Sequence, residues 1–164
     1  MGVAGSGKST IGRMLATALN WPYFEADDFH PAQNRAKMSR GLALDDADRA
    51  PWLAAIREKI DACRATGQSA VFTCSALKEA YRERLGVGAP EIILVHLTGD
   101  KQTILARVGQ REGHYMKANL VQSQFDVLEP PQGAVVFDIH LSPQEIVQGI
   151  LQQLNDTGSN EHPQ

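Results

Sequence analysis

Between Lys8 and Leu19 the apolar residues Ile11, Met14, Leu15, Ala18 and Leu19 return every three or four positions, the spacing of one buried helix face. The pattern then changes. YFEADD (23–28) predicts a short strand ending in acids, HPAQNRAKMSRG (30–41) a short helix closed by Gly41, and LALDDADRAP (42–51) a polar connection. Pro51 fits the first turn of a long helix whose core side is Trp52, Leu53, Ile56, Ile60 and Cys63, with Gly67 just past its end. AVFTCSA (70–76), EIILVHL (91–97) and AVVFDI (134–139) are short apolar runs rich in β-branched residues, as expected of strands buried on both faces. DKQTILARVGQRE (100–112) reads as helix, and a second short helix is expected near Asn119. The last helix has Ser142, Pro143 and Glu145 as a capping box ahead of Ile146, Val147, Ile150, Leu151 and Leu154. The polar residues 156–164 are expected to be a disordered tail.

Strands alternating with helices imply an α/β fold, a parallel sheet covered by helices on both faces. Ligands in such sheets sit beyond the carboxyl ends of the strands, so the glycine-rich start, the EADD acids and CSALK (74–78) should share one rim. At 164 residues the chain fits one domain, residues 1–155. With 43% hydrophobic residues, 21% charged residues and a net charge of −3, nothing marks a nucleic-acid or acidic-membrane partner. No apolar run approaches the ~18 residues of a membrane span. Cys63 and Cys74 show no metal or redox spacing, and a reducing cytoplasm is the expected location.

The strongest chemical signal is GVAGSGKST (2–10), in which Gly2, Gly7, Lys8 and Ser9 match the phosphate-loop pattern. Gly2, Gly5 and Gly7, with Ser6 and Thr10 between and behind them, would let backbone N–H groups turn toward phosphate oxygens at a helix N-terminus. Lys8 would reach the β- and γ-phosphates of ATP, and Ser9 would ligate Mg²⁺ together with waters. The motif normally follows a strand, yet only Met1 precedes Gly2. The expectation is therefore that this fold's first strand is missing from the chain, with Met1 as its last residue.

GVAGSGKST, EADDFHPAQNRAKM, LDDADRAPWL, CSALKEAYRERL and REGHYMKANLVQSQFDVLEPP follow one another over most of the chain and resemble the successive motifs of the gluconokinase family. The resemblance implies a fold related to nucleoside monophosphate and shikimate kinases. It also implies transfer of phosphate from ATP to the 6-hydroxyl of D-gluconate, giving 6-phosphogluconate, and makes a homodimer plausible. Asp27 then holds the acceptor hydroxyl and takes its proton, or binds Mg²⁺ through water. His30 would bond a polyol hydroxyl, and Ser75 would meet phosphate or metal water. Arg49, Lys78 and Arg82 are candidates for the substrate carboxylate, with Lys78 and Arg82 expected on one helix face. Arg107 and Arg111 lead into a lid over about 108–120, closing on ATP with His114 as a further lid residue. Two alternatives stand beside this reading: a kinase for another small acid or polyol, such as shikimate, and a truncated P-loop protein with impaired catalysis.

Overall fold

The computed structural model describes residues 1–109 and 114–158. In chain order it contains α1 (Lys8–Leu19), β1 (Tyr23–Glu25), a 3₁₀ turn (Ala26–Phe29), α2 (Ala32–Ser39), α3 (Asp46–Ala65) and β2 (Val71–Thr73). There follow α4 (Glu79–Arg84), β3 (Val95–Thr98), α5 (Lys101–Gly109), α6 (His114–Val127), β4 (Val135–Asp138) and α7 (Pro143–Gly158).

The helix α1 buries Ile11, Leu15 and Ala16, as its spacing predicts, and Asn20 ends it in the left-handed region at φ 54°. Three boundaries differ from expectation. Helix α3 begins at Asp46, so Pro51 lies inside it rather than in its first turn. The reason is a capping box: Asp45 accepts from the Asp48 N–H at 2.8 Å and Asp48 accepts from the Asp45 N–H at 2.9 Å. That cap starts the helix one turn early, and the helix tolerates the loss of the hydrogen bond that Pro51 cannot donate. Helix α6 starts at His114 rather than near Asn119. Helix α7 continues to Gly158, so 156–158 extend the helix; 159–164 lie outside the described residues.

Among the described residues the strands pair in parallel: β1 with β2 from Tyr23↔Val71 to Glu25↔Thr73, and β3 with β4 from Val95↔Val135 to Thr98↔Asp138. Between the two pairs stand Met1 and Gly2. Met1 donates its terminal nitrogen to the Val95 carbonyl and accepts from the Leu97 N–H at 3.0 Å, while the Gly2 N–H reaches the Ser75 carbonyl at 3.3 Å. Behind this bridge lies an apolar cleft of about 440 Å³, bordered by Ile11, Leu15, Val71, Val95, Leu97 and Ile150. One core cluster joins Val3, Leu97, Ile104, Val121, Ile139 and Ile150. A second joins Trp52, Leu53, Ile56, Tyr81 and Leu85, under the end of β2.

Candidate active site

The phosphate loop is held in place by contacts on its outer side. Gly5, at φ +84°, leaves no room for a Cβ, which would lie 2.5 Å from Val108 Cγ2. Gly7 takes the position before α1 at φ 92°, a left-handed cap that side chains rarely adopt. Among the described residues, no acceptor takes the N–H groups of Gly5, Gly7, Lys8, Ser9 or Thr10. Ser6 is buried and its Oγ has no partner there either. Orphaned donors at a helix N-terminus, with a buried hydroxyl among them, suit a polyphosphate. Lys8 Nζ meanwhile donates to the Val3 carbonyl at 2.9 Å. Burial pushes its ammonium below the ordinary lysine value, opposed by Asp27, Cys74 and Glu25. That balance gathers the loop lysine, the acids after β1 and the end of β2 at one rim, as the α/β reading predicts.

A carboxylate that sequence reasoning left in the background stands at the centre of this rim. Glu25 ends β1 and accepts from Tyr23 Oη at 2.5 Å and Thr73 Oγ1 at 2.7 Å. Burial pushes its carboxyl up, but hydrogen bonds from Ser9, Tyr23 and Thr73, with the Lys8 charge, outweigh it and hold Glu25 below its usual value. An ionised carboxylate beside Ser9 fits a Mg²⁺ site. Among the described residues no group of three or more His, Cys, Asp or Glu side chains could hold a metal. Mg²⁺ bound with phosphates needs only one or two protein ligands and keeps waters, so the donor set fits.

Asp27 is exposed on the 3₁₀ turn directly after Glu25. Trp52 sets that turn by donating Nε1 to the Ala26 carbonyl at 2.7 Å, and it stacks on His30 with centroids 4.5 Å apart and planes at 10°. Trp52 is thus core, as its place in the helix pattern implies, and a platform for a site residue as well. His30 is 7% exposed. Burial holds its imidazole below the ordinary value, Asp27 pulls it up, and Arg49 and Arg35 push it down.

Of the three cations proposed for a carboxylate, Lys78 and Arg49 meet at Asp46 and Arg82 stands apart. Lys78 precedes α4 as its cap and donates to both Asp46 oxygens at 3.0 Å. Arg49 donates to Tyr81 Oη at 3.0 Å, and Tyr81 in turn bonds Asp46. Arg82 is buried, and its Nη1 donates to the carbonyls of Ala76, Leu77 and Glu129 at 3.0–3.1 Å. Lys78 and Arg82 therefore take different partners: Lys78 is the extended N-cap of α4, and Arg82 lies one turn into the helix. Arg82 clamps the CSALK turn, where Ala76 is held at φ +43°, a strained conformation for a residue with a Cβ. Ser75 gives its carbonyl to Gly2 at the mouth of the loop.

On the other flank, Arg107 Nη2 donates to the Ile139 carbonyl at 2.6 Å, tying α5 to the end of β4. Arg111 lies outside the described residues, as does the His114 side chain, so the lid arginine pair is not placed.

A phosphate loop opening α1, parallel strands flanked by helices and acids at the strand ends define a P-loop kinase of small metabolites. A family profile described as Shikimate kinase matches residues 4–155. The chain is 42% identical over 160 residues to a probable gluconokinase of Rattus norvegicus, covering 87% of this chain and 86% of the relative. It is 47% identical over 135 residues to a gluconokinase of Gluconobacter oxydans, covering 80% and 74%. The solved structure of a gluconokinase from Sinorhizobium meliloti superposes with a TM-score of 0.85 at 38% identity, over 99% of this chain and 95% of that one. The chain belongs to the gluconokinase family, within the broader shikimate-kinase group.

Proposed function

We infer that this protein transfers the γ-phosphoryl group of ATP to the 6-hydroxyl of D-gluconate. The observation that carries the reading is the meeting of the donor-rich loop and Lys8 with the Glu25–Asp27 rim, in a chain 37–47% identical to gluconokinases. The loop N–H groups and Lys8 hold the β- and γ-phosphates. Ser9, with waters, would hold Mg²⁺, which when bound neutralises charge on the phosphate oxygens. Asp27 accepts the hydroxyl proton as the oxygen bonds phosphorus and the bond to the β-phosphate oxygen breaks, leaving ADP. His30, kept neutral by burial, orients a substrate hydroxyl. Arg49 and Lys78 bind the substrate carboxylate; Asp46 occupies them here, a carboxylate held by the same cations. Arg82, engaged by backbone carbonyls, shapes the wall of the site instead. Arg107 faces the nucleotide side, with Arg111 and His114 in the lid. Ser75 borders the phosphates.

Both cysteines are free, which supports a reducing, cytoplasmic setting. No helix among the described residues is long and apolar enough to cross a membrane. The family profile raises a shikimate kinase as the second reading. ADP release with Mg-ATP and a panel of D-gluconate, shikimate and other small hydroxy acids separates them: gluconate should be turned over at least tenfold faster than any other, and a faster rate with shikimate would replace this reading.

A further inference from the structure

Helix α6 presents Val121, Gln124 and Phe125 toward the interior: Val121 is fully buried, and Phe125 packs on the cluster that contains Val3 of the phosphate loop. Gln124 is the polar member of that face, and a polar group there needs a partner. It has one in the loop itself. The Ala4 N–H donates to Gln124 Oε1 at 2.5 Å, across 120 residues of sequence.

The bond divides the loop amides into two sets. Ser6 N–H closes internally on the Val3 carbonyl at 3.2 Å, and Ala4 N–H is taken by Gln124. The amides of Gly5, Gly7, Lys8, Ser9 and Thr10 have no acceptor among the described residues. A glycine-rich loop has many accessible backbone states. The Val3–Ala4 peptide plane is held at its carbonyl edge by the Ser6 N–H at 3.2 Å and Lys8 Nζ at 2.9 Å. Because Lys8 leaves that carbonyl when it reaches for phosphate, without Gln124 a single bond remains against rotation. Such a rotation would carry the neighbouring Gly5 amide away from the anion.

We propose that Gln124 is a positioning residue for nucleotide: by fixing the Ala4 peptide plane it holds the remaining loop amides in the orientation that receives phosphate. It touches no reacting atom. The inference rests on the nucleotide reading of the loop but not on gluconate as acceptor.

The test is calorimetric binding of Mg-ADP to the wild type and to Gln124→Met and Gln124→Leu, which keep bulk and remove the acceptor. Using two variants prevents a folding defect in one from deciding the result. The loss of one neutral hydrogen bond predicts Mg-ADP binding weaker by roughly five- to tenfold. KM for ATP should rise by a similar factor, KM for gluconate should stay the same, and the Ala4 amide should exchange faster in the absence of nucleotide. Wild-type affinity in both variants would overturn the proposal. So would a parallel rise in both KM values with a lowered Tm, which is what a merely structural residue gives. If the wild type itself failed to bind Mg-ADP, the nucleotide reading would fall, and this inference with it.

Discussion

At the residue scale the proposed mechanism divides the work between Lys8, which would neutralise the charge being moved, and Asp27, which would receive the proton. Lys8→Ala is expected to lower kcat by about 10²-fold or more, and Asp27→Asn by about 10²- to 10⁴-fold. Steady-state rates on folded variants check both, and an unchanged kcat removes that residue from the chemistry. Arg82 differs from them. Removing its three carbonyl bonds in Arg82→Met should cost about 3 kcal/mol, seen as a fall in Tm of roughly 6–12 °C. His30 and His96 give a pH signature, since burial lowers both imidazoles in the folded protein. In the unfolded chain they take up protons below the ordinary value near 6.5, while the folded protein resists, so their contribution is complete above that pH and is lost as pH falls through it. Urea midpoints at pH 7.5 and 5.5 should differ, and His30→Gln should shrink the difference; the lowered carboxylates titrate further down, whereas the buried Met1 ammonium, lowered to about 5, acts in the same direction within this window.

At the scale of elements, α3 provides the sharpest check, because its start and its proline pull in opposite directions. Asp45→Ala removes one half of the capping box and should lower stability by about 1 kcal/mol. Pro51→Ala restores an interior hydrogen bond at an exposed site and should raise Tm; a fall would mean that proline stiffens the chain more than it harms the helix. The same helix shows what a sequence gives up easily and what it withholds. Its core residues Trp52, Leu53, Ile56 and Cys63 were legible from spacing alone, as were the capping box at Ser142 and the loop at Gly2–Ser9. Its first residue was not, since Asp45–Asp48 reads as polar connection until its two reciprocal bonds are seen. The fate of Arg82 was equally hidden: spacing placed it beside Lys78, but only the tertiary course of 128–130 supplies the carbonyl that buries it. The Glu25 network and the Gln124 bond join residues 48 and 120 positions apart, beyond any local pattern.

In the molecule as a whole, two parallel strand pairs meet at Met1 and Gly2 over an apolar cleft of about 440 Å³. Lys8 of the phosphate loop borders this cleft, beside Thr73 and Cys74 at the end of β2. The most direct measurement of the central claim is ATP-dependent formation of 6-phosphogluconate, followed as NADPH with 6-phosphogluconate dehydrogenase. NADPH is expected only when Mg-ATP, D-gluconate and this protein are all present, with near-complete loss in Lys8→Ala. Folded protein that binds Mg-ATP yet yields no 6-phosphogluconate would contradict that claim.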